Sequence, residues 1–431
     1  MDAREIIEKH NQYLFPNVSN YYQEPLVPLK ANGMIVTGAD GKNYLDFFGG
    51  ILTVSVGHCH PRVTARVIEQ QKTLVHLSTL YPMETQVRLA ERLAHIAPFS
   101  QAKSFFTSSG TEADETAVLL AKVRTGRREL IALRHSYGGR GAVALNMMGQ
   151  APWRLVDSEI PGIKHAHAPY CYRCDFHLKY PDCGLACARD VETLIQTETR
   201  GLIAGMIAEP VMGVGGFIVP PKEYFEIVSG IVNQYGGLFI ADEVQTAWGR
   251  TGKWWGVQNF PNFTPDILTS AKGMANGQPI GLTMAKADVA DAMRGLLSLA
   301  TFGGNPVSTT AALATLEVIE EEHLVQNVQA MGARLRDGLE QLQGDFPVRI
   351  GDVRGLGLMQ AVEIVKDARS KEPDAPATVR VMEAAKKRQL LIGKGGLYGN
   401  TLRIAPPMIV NVGQVDDALK VLADSFAEAF A

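Results

Sequence analysis

The sequence predicts an α/β protein with a mainly parallel sheet, and three observations support that prediction. Short apolar runs alternate with helical patterns along most of the 431-residue chain, as in sheets that are covered by helices. Several of these runs end in charged or polar residues, which is typical of strands that open towards a ligand. After residue 344 the pattern changes to strand-like runs that indicate a second, smaller α+β unit.

The predicted elements follow in chain order. Residues 33–50 indicate a hairpin with Asp40-Gly41 at its turn, and residues 103–110 indicate a strand that enters a glycine turn. Residues 111–126 carry small and apolar side chains on one face, which predicts a helix. Further strands are predicted where short apolar runs precede polar residues, at 128–139, 203–211, 236–244 and 265–273. A long connecting helix is expected from about 305 to 344.

The pattern predicts a large central domain and a small domain built from both termini. We expect residues 1–60 to form the N-terminal part of the small domain, residues 61–320 the large domain, and residues 321–431 the C-terminal part of the small domain. Small-domain strands are expected in 348–365, 389–396 and 401–410. The segment 412–430 predicts an amphipathic helix, because its apolar residues recur three to four positions apart.

Composition and charge exclude several classes of protein. Lys and Arg number 42 and Asp and Glu number 45, which gives a net charge of −3, whereas nucleic-acid-binding proteins usually carry a basic excess. No apolar run reaches the roughly 18 residues that span a bilayer. The opening MDAREIIEKH has neither the apolar core of a signal peptide nor the composition of a mitochondrial presequence. We therefore expect a cytoplasmic protein that binds neither nucleic acid nor membrane.

Four of the five cysteines cluster within 17 residues, at Cys171, Cys174, Cys183 and Cys187. Their spacing resembles a structural zinc site, with His165, His167 and His177 nearby, although the C-x3-C step is unusual. A disulfide and a set of reduced surface thiols are the other two interpretations. In each case we expect the cluster to be structural and not catalytic, with no metal in the active site.

Complementary polar groups follow several predicted elements. Asp242, Glu209 and Lys272 stand at or just after strand ends, and residues 109–111 precede a helix. A helix N-terminus can bind phosphate, and a buried carboxylate favours a protonated pyridine ring. A lysine amine can form a Schiff base with an aldehyde. The set predicts an anionic, phosphate-bearing cofactor with a cationic ring and an electrophilic carbonyl.

The segments 239–252 (FIADEVQTAWGRTG) and 265–277 (PDILTSAKGMANG) resemble the signature of class III pyridoxal-phosphate-dependent aminotransferases, which have fold type I. Asp242 and Lys272 are 30 residues apart, as that signature expects. Further resemblance lies in segments at 45–61, 104–117, 134–141, 208–216, 301–306, 351–359 and 402–408. The group that the chain resembles most contains alanine–glyoxylate aminotransferase 2, the β-amino acid–pyruvate transaminases and ω-transaminase-like enzymes.

The resemblance implies pyridoxal 5'-phosphate as the cofactor. It implies that Lys272 forms the Schiff base, Asp242 pairs with the pyridine nitrogen and Gln245 reaches the phenolic oxygen. It also implies that Ser109, Gly110 and Thr111 bind the phosphate and that Tyr137 stacks on the face of the ring. Glu209 is implied to lie near the substrate-facing side of the ring. Thr301 is implied to reach the phosphate of the neighbouring subunit, so a homodimer, or a tetramer built from two dimers, is expected.

The resemblance also implies a substrate site. Arg403 is the expected clamp for a substrate carboxylate, because a planar guanidinium can bind one bidentately. In the ornithine and 4-aminobutyrate branches a glutamate that can pair with this arginine commonly stands where this chain has Val214. Phe48 and Tyr81 lie in segments that line the pocket of similar proteins. Other departures are Ala247-Trp248 in place of Gly-Phe, and Gly139 where a histidine is frequent.

These observations predict a transaminase that works by a ping-pong mechanism through a Schiff base at Lys272. The expected donors are alanine, β-alanine, 3-aminoisobutyrate, 4-aminobutyrate or ω-amines, and the expected acceptor is a small keto acid such as pyruvate or glyoxylate. An aminomutase or a decarboxylase on the same fold is the alternative within enzymes. A catalytically silent cofactor-binding protein and a zinc-stapled interaction module are the alternatives of other classes.

Overall fold

A large central sheet and two smaller sheets organise the computed structural model, which describes residues 1–18, 20–156 and 160–431. The strands are β1 (Pro28–Asn32), β2 (Ile35–Gly38), β3 (Asn43–Asp46), β4 (Ala102–Thr107), β5 (Leu130–Leu133), β6 (Ile163–Ala166), β7 (Gly205–Ala208), β8 (Leu238–Asp242), β9 (Ile267–Ser270), β10 (Gly281–Lys286), β11 (Ile350–Leu356), β12 (Met359–Ile364), β13 (Leu390–Leu391), β14 (Gly393–Gly395) and β15 (Thr401–Ile404).

The helices cover the sheets and connect their strands. They are α1 (Ala3–Tyr13), α2 (Gly49–Leu52), α3 (Pro61–Thr73), α4 (Glu84–Ile96), α5 (Gly110–Thr125), α6 (Ala142–Met147), α7 (Ala186–Glu198), α8 (Tyr224–Gln234), α9 (Ala287–Ala290), α10 (Pro306–Glu321), α11 (Leu324–Asp345), α12 (Ala375–Lys387) and α13 (Val412–Phe430). Short 3₁₀ turns lie at Ala151–Trp153, Cys171–Arg173, Gly256–Asn259, Lys272–Ala275 and Asp291–Met293. No helix in the described segments is both long and apolar enough to cross a membrane.

The seven-stranded sheet has the order β4-β10-β9-β8-β7-β5-β6. Strands β5 to β9 pair in parallel, whereas β10 is antiparallel to both β9 and β4. Strands β5, β7 and β9 are buried along their whole length, as expected for short apolar strands covered on both faces. The predicted α/β class with a mainly parallel mixed sheet is confirmed, and the parallel strands bring their carboxyl ends to one edge.

The strands outside the central sheet, which the sequence assigned to one small domain, form two separate four-stranded sheets. One has the order β1-β2-β3-β13, in which β13 pairs in parallel with β3. The other has the order β11-β12-β15-β14 and is entirely C-terminal. The first sheet therefore joins the two ends of the chain, and the second carries the segment around Arg403.

The single long helix expected from 305 to 344 is wrong, because two helices occupy this segment. Helix α10 ends at Glu321 and α11 begins at Leu324. Between them His323 adopts a left-handed conformation, with φ of +53°, which a continuous right-handed helix cannot accommodate. The helix predicted at 412–430 is confirmed as α13, and Asn411 caps its first turn.

Candidate active site

A cavity of about 310 Å³ lies at the carboxyl edge of the central sheet. Its lining includes eight of the side chains that the sequence singled out: Ser109, Gly110, Thr111, Tyr137, Glu209, Asp242, Gln245 and Lys272. These residues come from five separate segments of the chain. They converge because β7, β8 and β9 are neighbouring parallel strands, and because α5 begins beside them.

The N-terminus of α5 forms one wall of the cavity. Ser109 is the N-cap, and its hydroxyl oxygen accepts a hydrogen bond from the Glu112 amide at 3.3 Å. The amides of Gly110 and Thr111 lie in the first turn of the helix, where no intrahelical acceptor exists. A helix start with free amides and a positive dipole end suits an anion such as a phosphate.

Gly139 allows the loop after β5 to approach this helix start closely. Its φ is +116°, and a Cβ added there would lie 2.2 Å from Thr111 Oγ1. A side chain at this position would therefore push the loop away from α5. The glycine that replaces the family's frequent histidine thus coincides with a close backbone contact at the rim of the cavity.

Asp242 ends β8 with its side chain buried. One carboxylate oxygen accepts a hydrogen bond from the Val244 amide at 2.9 Å. Burial raises the pKa of Asp242, and the Val244 amide and the charge of Lys272 oppose that rise. A buried carboxyl in this state is stabilised as an anion by a cationic partner, which a protonated ring nitrogen can provide.

Lys272 follows β9 and begins a 3₁₀ turn. Its φ is +42°, a conformation that costs a non-glycine residue about 1–3 kcal/mol and is concentrated at functional sites. Burial lowers the pKa of the amine, while the carboxyl groups of Asp242 and Glu209 oppose this effect. A lowered pKa increases the fraction of neutral amine, which is the nucleophilic form.

Glu209 connects the loop that carries Tyr137 to the turn that follows β7. Its two carboxylate oxygens accept hydrogen bonds from the Tyr137 amide at 3.1 Å and from the Gly213 amide at 2.7 Å. Burial raises the pKa of Glu209, and the neighbouring Asp242 raises it further. This bridging arrangement is not visible in the sequence, because the two amides lie far apart along the chain.

Gln245 provides a direct test of whether the cavity fits pyridoxal 5'-phosphate. Its amide oxygen is buried and has no hydrogen-bond partner in the described segments, although the side chain lines the cavity. Buried polar atoms normally have partners, so this amide is poised for a polar group of a ligand. Together with the carboxyl of Asp242, the amine of Lys272 and the amides of α5, it makes the donor set fit the cofactor.

Asp114 is a cavity residue that the sequence pattern did not reveal. It lies in α5, is buried, and accepts a hydrogen bond from the Thr269 hydroxyl at 2.6 Å. Burial and the nearby Asp242 raise its pKa well above the ordinary value. The sequence offered one signal for Asp114, because this carboxylate lies among the small apolar residues on the inner face of the predicted helix.

Arg403 lies on β15, beside the cavity lining and not in it. Its guanidinium donates hydrogen bonds to the Lys394 carbonyl at 2.9 Å and to the Gly213 carbonyl at 3.4 Å. It also stacks over the rings of Phe48 and Phe217, at 4.9 and 5.7 Å. In the described part of the chain no carboxylate lies within ion-pair distance of Arg403. Its third hydrogen bond goes to the Tyr21 hydroxyl at 3.3 Å, so the contacts of this buried cation in the described residues are to neutral groups.

Phe48 is held against Arg403 by a tightly bonded loop. The amides of Phe48 and Gly49 donate to one oxygen of Asp46 at 2.8 and 2.9 Å, and His58 contacts the other oxygen at 2.8 Å. The next residues, α2, form one left-handed turn in which all four φ values are positive. Ile51 is one of its two non-glycine residues, for which this conformation is strained.

Thr301 and Tyr81 are not brought to the cavity of their own chain. Both are exposed, and neither lines the cavity. The expectation that Thr301 serves a neighbouring subunit stays a prediction. Phe302 beside it contacts the ring of His76 at 5.0 Å, so the segments that carry Thr301 and Tyr81 lie close to each other.

The four clustered cysteines lie on a separate excursion around the turn at Cys171–Arg173. They line a small cavity of about 20 Å³ and are free thiols. Within the described residues, no group of three or more His, Cys, Asp or Glu side chains is arranged to hold a metal ion. The zinc interpretation therefore gains no support from the geometry.

Comparison with known proteins adds independent information. The model of the family "Aminotransferase class-III" matches residues 18–426. The alanine–glyoxylate aminotransferase 2 homolog 2, mitochondrial, of Arabidopsis thaliana is 39% identical over 423 residues, covering 98% of this chain and 87% of that protein. The leucine/methionine racemase of Thermococcus litoralis is 33% identical over 431 residues, covering 99% and 96%.

The fold has equally extensive counterparts among solved structures. A thermostable (S)-enantioselective ω-transaminase from Thermomicrobium roseum superimposes with a TM-score of 0.93 at 30% identity, and the match covers 100% of both chains. An aminotransferase from Bacillus anthracis gives the same TM-score at 29% identity, covering 99% of this chain and 100% of that one.

Proposed function

Because the chain belongs to the class-III aminotransferase family, whose members depend on pyridoxal 5'-phosphate, we propose that it is a transaminase for small amino donors. The donor is alanine, β-alanine, 3-aminoisobutyrate, 4-aminobutyrate or an ω-amine, and the acceptor is a small keto acid such as pyruvate or glyoxylate. Two half-reactions alternate in a ping-pong cycle. The main support is the convergence of Lys272, Asp242 and the α5 N-terminus on one cavity.

Each part of the cofactor is assigned to different residues of the cavity. The amides of Gly110 and Thr111, with Ser109, would bind the phosphate of the cofactor, and Tyr137 would pack against its ring. The carboxylate of Asp242 would keep the ring nitrogen protonated, and the amide N–H of Gln245 would donate a hydrogen bond to the phenolic oxygen. When bound, the cofactor supplies an electrophilic aldehyde and a protonated ring that accepts electrons from the substrate carbon.

Lys272 Nζ carries the proton transfers. Its lowered pKa favours the neutral amine, which is the form that would hold the cofactor through its aldehyde. The same amine would accept and return the proton of the reacting substrate carbon as a general base. Glu209 is held in place by hydrogen bonds from two backbone amides. Its side chain borders the cavity on the side where the substrate would lie.

Arg403 binds the carboxylate of the keto acid and of amino acid donors. The guanidinium is buried and held by the Lys394 and Gly213 carbonyls, which leaves its charge uncompensated by any acid in the described residues. The side chain at Val214 is apolar and cannot pair with it. Both features support small monocarboxylate substrates and oppose an ornithine enzyme.

The active enzyme is a homodimer in this proposal. Several apolar side chains near Tyr81 and Thr301 in the sequence are exposed: Leu77, Leu80, Leu297, Leu299 and Phe302. A second copy of the chain can bury exposed apolar side chains of this kind. A mixture of Lys272→Ala and Thr301→Ala chains tests the sharing of sites. Hybrid dimers that regain activity above either parent support it, whereas a monomer active by itself contradicts it.

A cytoplasmic location stays a prediction from composition. The Arabidopsis relative is mitochondrial by name, so the comparisons favour no single compartment. Fractionation of the native cells, followed by detection of the protein with an antibody, distinguishes the cytoplasm from an organelle.

The test of the proposed reaction is a steady-state assay with two substrates. Initial rates of alanine formation from pyruvate are measured while β-alanine, 4-aminobutyrate and 1-phenylethylamine are varied in turn. Parallel double-reciprocal lines with at least one donor are expected, because each half-reaction releases its product before the next substrate binds. Absence of amino transfer with every donor and acceptor contradicts the proposal.

The Thermococcus relative favours racemisation of an α-amino acid as a second candidate. The same assay separates the two reactions, because a racemase interconverts enantiomers without a keto acid, whereas a transaminase requires one. Loss of carbon dioxide or migration of the amino group without an acceptor indicates the decarboxylase or aminomutase alternative.

A further inference from the structure

A buried ion network lies on the C-terminal sheet that carries Arg403, outside the cofactor cavity. Its centre is Glu363 on β12, whose side chain is fully buried. Arg173 donates to one of its oxygens at 2.5 Å and Arg354 to the other at 2.6 Å. The hydroxyl of Tyr170 also donates to Glu363, and the Arg354 guanidinium lies 4.9 Å above the Tyr170 ring. The network thus joins the excursion after β6 to the C-terminal sheet.

The network shares one face of the C-terminal sheet with Arg403. Arg354 on β11 is in register with Ala361 on β12, and Ala361 is in register with Arg403 on β15. Residues in register across neighbouring strands point to the same side of a sheet. Two residues earlier on β15, Thr401 is the register partner of Glu363.

The same face packs against the turn formed by residues 213–216. Arg354 Nε donates to the Gly216 carbonyl at 2.8 Å. At the other end of the turn, the Gly213 carbonyl accepts from Arg403 and the Gly213 amide donates to Glu209. Gly216 has a φ of +102°, and a Cβ there would lie 3.0 Å from Arg354. The turn is therefore held between the ion network and the substrate-facing residues.

We propose that Glu363 and Arg354 are positioning residues for the substrate carboxylate. Glu363 fixes the Arg354 guanidinium, Arg354 fixes the Gly216 carbonyl, and the turn fixes the contact between Gly213 and Arg403. This inference rests on the proposed function, because it assigns the carboxylate site of that reaction. Neither Glu363 nor Arg354 lines the cofactor cavity.

The ion pairs of Glu363 hold the side chain of Arg354 in place. Burial opposes ionisation of Glu363, but Arg354 and Arg173 outweigh it, so the pKa of Glu363 lies below its usual value. Hydrogen bonds between buried ionised groups are short and strong, and removal of one charge leaves its partners uncompensated. Arg354 also pairs with Asp352 at 2.8 Å, so neutralising Glu363 removes one of its two carboxylate partners and weakens the support of the turn at Gly216.

The experiment compares Glu363→Gln with the wild-type holoenzyme. The Kd of propionate, a carboxylate with no transferable amino group, is measured by isothermal titration calorimetry. KM is also measured for pyruvate and for 1-phenylethylamine, which has no carboxylate. Glu372→Gln is the matched control, because it removes the acid of an exposed ion pair with Lys366 in the same C-terminal region. Tyr170→Phe is a milder second variant that keeps the Glu363 charge.

We expect Glu363→Gln to raise the propionate Kd and the pyruvate KM by about tenfold. The KM for 1-phenylethylamine stays within about twofold, because this amine makes no contact with Arg403. Tyr170→Phe shifts the carboxylate constants in the same direction by a smaller factor. A purely structural role for the network lowers the thermal midpoint without separating the two substrates.

If the propionate Kd and the pyruvate KM are the same as in the wild type in both Glu363→Gln and Tyr170→Phe, this inference is overturned. The proposed transaminase reaction is not affected by that result. An equal rise in KM for pyruvate and for 1-phenylethylamine also overturns the inference. The reverse case is a wild-type protein that binds propionate but transfers no amino group. That result rejects the proposed reaction, while the propionate titration still decides the role of Glu363.

Discussion

The cofactor cavity and the Arg403 region are built in different ways. The cavity side chains stand at the ends of neighbouring parallel strands and at one helix start, so a single sheet edge collects them. The surroundings of Arg403 come from the loop at Phe48, the turn at Gly213 and the C-terminal sheet. The cofactor cavity depends on the arrangement of neighbouring strands in one sheet. The surroundings of Arg403 depend on contacts between segments that are far apart along the chain. Chemistry common to a family can therefore stay fixed while substrate recognition varies.

The largest effect is expected at the centre of the first region, from Lys272→Ala. Without the amine no Schiff base forms at this position, so the visible band is lost and the transamination rate falls by at least about 10⁴-fold. The measurements are the absorption spectrum and the initial rate. Lys253→Ala, which changes an exposed lysine of the same half of the chain, should behave as wild type. A Lys272→Ala protein that retains the band contradicts the assignment.

The next largest effect is expected from Arg403→Leu, which tests the second region alone. Loss of a charged hydrogen bond of about 1.5–3 kcal/mol raises the KM for pyruvate by about 10- to 100-fold. The visible band of the bound cofactor should persist, because Arg403 does not line the cofactor cavity. Arg334→Leu, which removes an exposed ion pair with Asp416, is the control. An unchanged pyruvate KM rejects Arg403 as the carboxylate site.

Gly139→Ala tests how closely the cavity wall is packed. The new Cβ would overlap Thr111 Oγ1, at 2.2 Å, so the loop must withdraw from α5. We expect the cofactor Kd to rise by about tenfold and the stability to fall by about 1–3 kcal/mol. Gly126→Ala is the matched control, because Gly126 also has a positive φ but open space around it. It should lose stability without loss of cofactor affinity.

Asp114→Asn is expected to have the smallest effect, and one that depends on pH. The raised pKa of Asp114 means that the folded protein holds the proton more tightly than the unfolded chain. Its contribution to stability is present below the ordinary carboxyl pKa and is lost as the pH rises towards the folded value. Asparagine removes this loss and can still accept from Thr269. The thermal midpoint of the apoprotein should therefore rise more at pH 8 than at pH 5.

Asp337→Asn, which neutralises an exposed acid, serves as the control for this comparison and should show no such pH dependence. A lower midpoint for Asp114→Asn at pH 8 would mean that an ionised Asp114 stabilises the apoprotein, which contradicts the raised pKa of this carboxyl.

The two regions also differ in how well the sequence predicts them. The strand-end residues Asp242, Glu209 and Lys272 were found because polarity at the end of an apolar run marks the open edge of a parallel sheet. The cavity confirms that they meet. The antiparallel β10, the second small sheet and the break at His323 were not predicted, because each depends on tertiary packing and not on local periodicity.

The Arg403 surroundings were the least predictable from sequence. Arg403 itself stood out through the family resemblance, but its contacts to Gly213 and Phe48 join positions more than 150 residues apart. The Glu363 network was missed for the same reason. A carboxylate inside a strand of apolar residues was its only local signal, and such a signal does not identify the partners.

The most direct test of the proposed transamination is a half-reaction followed by visible absorption. The holoenzyme is mixed with a single donor, such as β-alanine, in the absence of any keto acid. We predict loss of a band near roughly 410 nm and growth of one near roughly 330 nm, both reversed by pyruvate or glyoxylate, because the Schiff base at Lys272 gives way to an aminated cofactor. A band that no amine or amino acid depletes would contradict the proposed transaminase.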